Sequence, residues 1–224
     1  LEINGNVFEL DDEAPKELNK DFMSLWVQAQ NSAKKFDAKV GLFGVLPSLK
    51  LEHFNKELYQ SDMHRYTLVS QRIKELRHES VKILFRGEDE ISLQKDDVML
   101  EALGTSLQIH LQIPFDKAVE YYHAALLASV VLLGFGANSP LVLGKRAWHE
   151  SRIAIFEQSV DTRDKQRRDH GEETRVHFAH GYIDSWLDLF EQNKMFKIIF
   201  ADVKDKPASE LHHFNLHNGT IWRW

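Results

Sequence analysis

The chain has no cysteine, so it carries no disulfide, no thiolate metal ligand and no cysteine nucleophile. That absence fits a reducing, cytoplasmic setting. A Lys/Arg-rich stripe is missing as well. With a formal net charge of −6 at pH 7 and an isoelectric point near 6.1, the chain has no general basic field for holding nucleic acid. Long hydrophobic runs are scarce. The strongest, AALLASVVLLGFGA at 124–137, is short for a bilayer and follows charged Lys117 and Glu120, so it reads as a buried helix and the chain is expected to have no membrane partner. No leader peptide is visible. The Leu1 start and the end at Trp224 are expected of a piece of a longer protein. Equally absent are a GxxxxGK[ST] loop, a GxGxxG turn opening a helix and a GxSxG elbow, so any ATP site must use another architecture.

What is present begins with 43% hydrophobic residues over 224 positions, enough for a substantial core in a soluble protein. LEINGNVFEL at 1–10 reads as a strand interrupted at Gly5. Pro15 opens a helix whose Leu18, Phe22, Leu25, Trp26, Ala29, Ala33 and Phe36 form one apolar stripe. KVGLFGVLP at 39–47 reads as a buried strand, about Ser61 to Arg77 as a helix, and VKILFRG, ISL and VMLEALGTSLQIHLQI as strands. Asp116 is expected to cap the apolar helix, which GANSP at 136–140 ends. Further helices are expected at 151–160 and 183–192, with a closing strand at TIWRW. The charge-dense DTRDKQRRDHGEE at 161–173 reads as an exposed, mobile loop. Strands and helices mix without regular alternation, which predicts an α+β fold with a largely antiparallel sheet.

Within SLQIHLQI, period-2 alternation puts Leu107, Ile109, Leu111 and Ile113 on one strand face and Ser106, Gln108, His110 and Gln112 on the other. A histidine flanked by glutamines suits a metal or phosphate contact as well as a solvated face. Glu2 and Glu9 offer carboxylates for a hard cation such as Mg2+ if a bulge at Asn4-Gly5 brings them to one face; otherwise they are solvated glutamates. Arg65, Arg86, Arg146, Arg152, Arg163 and Arg223 are candidate phosphate or carboxylate forks. The histidines of HFAH at 177–180 and LHHFNLH at 211–217 match no metalloprotease helix spacing and read as structural or surface groups.

Taken together, LEINGNVFEL, GVLPSLK, RGEDEISLQKDDVMLEALGTSLQIHLQI, GANSPLVLGKRAWHESRIAIFEQSVDTR and LHNGTIWRW resemble the glutamate–cysteine ligase family of bacterial carboxylate–amine ligase type, in the glutamine-synthetase-like superfamily. The resemblance implies one domain over 1–224, with a curved antiparallel sheet and helices packed on one face. Its concave face would hold ATP and Mg2+. The implied reaction activates an amino acid's carboxylate as an acyl phosphate, which an amine attacks to form an amide. By the same resemblance Glu2, Glu9 and His110 look like metal ligands. His110, Gln108, Arg86 and Arg223 look like nucleotide contacts, and Arg152 and Arg163 are expected near substrate or phosphate. Glu2, Glu9, Gln108 and His110 should then converge on one concave face. Gln108 stands where the family's first histidine would be. The family's Glu-x-Glu opening strand and the Glu/Arg strand after WRW have no match in this sequence. The resemblance therefore leaves two readings: a ligase, compatible with a homo-oligomer, or a non-catalytic fragment or pseudoenzyme that binds a nucleotide or amino acid or serves as an assembly subunit.

Overall fold

A computed structural model describes residues 2–53, 64–178, 180–199 and 210–223; Leu1, Trp224 and the side chains of Arg65 and Arg223 lie outside the described residues. Chain contacts separate two units, Leu1–Leu42 and Phe43–Trp224.

In the first unit, α1 (Ala14–Lys34) starts on the expected proline. Of the expected stripe, Phe22, Leu25, Trp26, Ala29 and Ala33 are half-buried, whereas Leu18 and Phe36, which lies beyond the helix, are exposed, so the apolar spacing marks the inward side only along the middle of the helix. Residues 2–9 form no strand. Instead Asn6 docks on α1, its backbone N–H donating to Asp21 Oδ2 at 2.9 Å and its side-chain amide to Oδ1 at 2.6 Å. Gly5 permits this approach, because a Cβ there would stand 2.8 Å from the Asp21 carboxylate. Gly5 serves this close approach to the helix rather than a strand bulge.

The second unit carries the core. Helix α2 (His64–Arg77) leads into the hairpin β1 (Val81–Arg86) and β2 (Glu90–Lys95), antiparallel with Ile83 opposite Leu93. Alternation along VKILF and EISL buries Val81, Ile83 and Ile91. Helix α3 (Ala118–Gly136) follows, then the short antiparallel pair β3 (Leu141–Val142) and β4 (Lys145–Arg146). Next come α4 (Arg152–Ser159), α5 (Lys165–Asp169), β5 (Val176–His177), α6 (Trp186–Asn193), α7 (His212–Asn218) and β6 (Trp222–Arg223), which pairs with β5 in parallel. Two apolar clusters hold these elements. Val45, Ile83, Ile91, Leu100, Leu103, Val142, Ala147 and Ile155 form one. Ile73, Leu76, Val160, Val176 and Ile199 form the other. The fold is α+β, with three two-stranded sheets among the described residues.

Several expectations fail for physical reasons. Residues 106–113 are not in a strand and are exposed through 112, Leu107, Ile109 and Leu111 included. Alternation specifies a strand only where a neighbour supplies the ladder. The 39–47 stretch likewise lacks strand structure, although Val45 is buried and Gly44 donates to Asn138 O at 3.0 Å and accepts from Thr105 N at 2.9 Å. Helix α3 is not buried: of its residues only Ala118 is, and the apolar character runs all round it. At 22 residues, Phe115–Gly136 also has the length and composition to cross a membrane, so the expectation that this run is too short is corrected. Asp116 is no cap; it lies in the turn Phe115–Lys117, and Lys117 begins the helix without a side-chain cap.

The 161–173 segment departs furthest from its expected mobile loop. Asp161 and Thr162 are buried, and α5 occupies its centre. Asp164 caps α5 by accepting from Arg167 N at 2.8 Å. Arg163, Arg167 and Arg168 turn inward and satisfy carbonyls, while Lys165, Gln166, Asp169, His170 and Gly171 stay exposed as expected.

Candidate functional site

The segment between α3 and α4 is built around buried hydroxyls. Ser139 and Ser151 are fully buried, with Ser151 Oγ donating to Ser139 O at 2.5 Å. Ser139 N donates to His149 O at 2.8 Å, and Ala147 N to Pro140 O at 2.8 Å. Arg152, at the first position of α4, threads this knot. It forms a two-pronged pair with the buried Glu150 carboxylate through Nε and Nη2; Nη2 also donates to Gly136 O (3.3 Å), and Nη1 donates to Thr105 O (2.7 Å). Arg152 therefore ties Thr105, the end of α3 and the start of α4 together.

Arg163 behaves similarly. Its Nε and Nη2 each donate at 3.0 Å to the buried Asp161 carboxylate, while Nη1 donates to Glu172 O. Four more arginines surround it. Arg77 donates to Gln158 O (3.1 Å) and Asp161 O (3.3 Å). Arg167 donates to Leu76 O and Thr162 O, both at 2.6 Å. Arg168 donates to Arg163 O at 2.6 Å and pairs with Glu79, which holds the Glu79 carboxyl below its usual range. Arg175 is 1% exposed and donates to Thr220 O and Oγ1, both at 3.1 Å, and to Lys197 O. Burial pushes its pKa down to about 10 and lowers that of Arg77 too. Of these five, the sequence reading singled out Arg163 alone. Tucking a guanidinium under backbone carbonyls leaves no periodic trace.

The remaining candidates whose side chains are described are exposed. Glu2 and Glu9 lie in the first unit on the extended segment before α1, and neither carboxylate has an ion pair among the described residues. Gln108 and His110 lie in the second unit on the extended stretch before α3. Arg86 is exposed at the end of β1, opposite Glu90. Arg146 on β4 pairs with Glu88 at 2.8 Å and Asp89 at 3.5 Å, pinning the tip of the β1–β2 hairpin. The residues expected to face one another on a sheet are thus divided between the two units, and none sits on a strand except Arg86, Arg146 and Arg223.

A constellation drawn from the HFAH histidines, expected to be structural or surface groups, is assembled at β5. Ligand atoms of Glu173, His177 and His180 all lie within 4.8 Å of one another. His180 Nε2 is 3.0 Å from Glu173 Oε2, and the two imidazole centroids are 5.4 Å apart. Helix-based spacing rules miss it because His177 is on a strand and His180 on the bend after it.

Comparison with curated proteins and with solved structures gave no match. A family model, glutamate-cysteine ligase family 2, matches residues 2–182. That span covers most of the chain and holds Glu2, Glu9, Arg86, Gln108, His110, Arg152 and Arg163, and on it this chain belongs to the glutamate-cysteine ligase family 2.

Proposed function

We propose that the chain supplies part or all of the catalytic domain of an ATP- and Mg2+-dependent carboxylate–amine ligase of the cytoplasm. The carrying observation is the family match over residues 2–182. In this reading ATP provides the γ-phosphoryl group that turns an amino acid carboxylate into an acyl phosphate; an amine displaces the phosphate, leaving amide, ADP and phosphate. Glu2, Glu9 and His110 would hold Mg2+, whose hard character suits the two carboxylates. His110, Gln108, Arg86 and Arg223 would face the nucleotide. Gln108 contributes an uncharged carbonyl where the family has an imidazole, so it can orient a ligand but cannot titrate.

Arg152 and Arg163 fit this scheme as positioning residues. Their N–H groups are spent on Glu150, Thr105 and Gly136, and on Asp161 and Glu172. Holding a carbonyl-lined frame rigid is a contribution in a reaction that runs on orientation and electrostatics. A glutamine-synthetase-like curved sheet belongs to this reading through the family match.

The saturated arginine forks also favour a second reading, a non-catalytic member that binds nucleotide or amino acid. Thermal shift and calorimetry separate the two readings. A ligase site should bind Mg2+-ATP, raising the melting temperature, by about 2.7 kcal/mol of added stability at a hundredfold excess over Kd. Glu9→Gln should weaken that response, whereas Glu191→Gln, which alters an exposed helical ion pair, should not. Binding together with divalent-dependent ADP release on mixing acids and amines supports the ligase. Binding without release supports the non-catalytic reading, and no binding by a chain that includes the flanking sequence rejects both.

A further inference from the structure

We propose that Glu173, His177 and His180 form a binding site for a divalent transition-metal ion of the Zn2+ class, separate from the Mg2+-nucleotide chemistry. Three observations carry it. The ligand atoms of the three side chains already lie within 4.8 Å of one another. Donors bound to one tetrahedral Zn2+ at about 2.0–2.1 Å stand roughly 3.3 Å apart, so side-chain rotation of the order of an ångström closes the set. The Glu173–His180 pair, at 3.0 Å, is near that separation without any ion.

The second observation is the state of the Glu173 carboxylate. Its Oε2 is shielded from solvent, yet no donor meets it in hydrogen-bond geometry among the described residues. A shielded carboxylate oxygen without a donor is costly, and a cation relieves that cost. His180 Nε2 is close enough to donate but is not aligned to do so, as expected if both atoms point at a common third centre.

The third is the tautomer of His177. Its Nδ1 lies 2.6 Å from Phe178 O, and a carbonyl only accepts. Nδ1 must therefore carry the proton, which places the lone pair on Nε2, the ligand form of a neutral imidazole. The backbone carbonyl plays the orienting part that supports most metal-bound histidines. His177 is also fixed by the β5–β6 pairing, opposite Arg223, and by the Phe196 ring 5.8 Å away.

Imidazole nitrogens with one carboxylate select a borderline ion such as Zn2+ or Co2+ over Mg2+ or Ca2+. Three protein ligands leave the fourth tetrahedral position open to water or a ligand, the pattern of reactive rather than purely structural zinc. An ion here would also fasten β5 to the bend that follows it.

Zn2+ titration by calorimetry on the metal-stripped chain, with Co2+ absorption as the geometric readout, tests the site. One equivalent of Zn2+ should bind, and Co2+ should give the intense visible bands of a four-coordinate centre. His180→Ala and Glu173→Gln should each weaken Zn2+ binding by more than about 100-fold, beyond what losing an outer-sphere partner does, while His170→Ala should not. His180 is exposed, so His180→Ala should keep the wild-type melting temperature without metal. It should also keep any Mg2+-ATP response, so failure of this site and failure of the ligase reading are told apart. Absence of Zn2+ binding at millimolar metal, or binding that survives both substitutions, overturns the proposal.

Discussion

Glu157 on α4 shows how a single carboxyl reports its surroundings. Desolvation raises its pKa above the ordinary value; the Asp161 carboxylate adds to that, and the Arg163 guanidinium opposes it. A carboxyl raised in the folded state contributes stability that is fully present below its unfolded pKa. That contribution is lost as pH climbs through the folded value. Glu157→Gln removes the titration, so the variant should gain on the wild type as pH rises from 4 to 7. Thermal melts across that window check the sign, and a variant that loses ground to the wild type with rising pH would refute it. Arg175 is the opposite case: its charge is retained at neutral pH because carbonyls replace water around the guanidinium.

Among the elements, the β1–β2 hairpin is informative because its tip is fastened at atomic contact. Gly87 packs on the strand-to-loop exit of β4, where an added Cβ would stand 2.6 Å from the Ala147 backbone. Nothing flexible lies there to yield. Gly87→Ala should therefore destabilise the fold by about 1–3 kcal/mol through overpacking. Gly134, inside α3 with open space around it, should respond with the opposite sign. There Gly134→Ala should stabilise by about 0.5–1 kcal/mol through helix propensity alone. Urea melts of the pair read both effects, and two shifts of the same sign would contradict the contacts.

For the molecule as a whole, the feature with the broadest consequence is the outer surface of α3. Leu127, Val131 and Phe135 succeed one another at four-residue steps and are exposed, with Val130 and Leu132 beside them. An apolar surface of that kind binds amphiphiles. The chain should bind the dye ANS in its native state, and Val131→Lys combined with Phe135→Lys should abolish most of the fluorescence. Both side chains face solvent, so melting should change by no more than about 0.5 kcal/mol per site. Undiminished dye binding would place the apolar surface elsewhere.

Where local pattern suffices, the sequence alone determined the outcome: the middle of the apolar stripe of α1 and the proline in its first turn, the strands at VKILF and ISL, the 152–159 helix, the mixed α+β class and the family, carried by motifs spread along the chain. These depend on neighbours three to ten residues away, and short-range periodicity encodes such neighbours. Tertiary structure decided the rest. SLQIHLQI has a strand's alternation but no pairing partner among the described residues, so its faces carry no core. AALLASVVLLGFGA is as apolar as a core helix, yet the packing of other elements leaves it outside. DTRDKQRRDHGEE is as polar as a free loop, yet carbonyls from positions as distant as Leu76 and Gln158 draw its own arginines and Arg77 inward. The Glu173–His177–His180 cluster exists because β5 and the following bend fold those side chains together. Burial and convergence are properties of contacts between distant residues, and no window of sequence contains them.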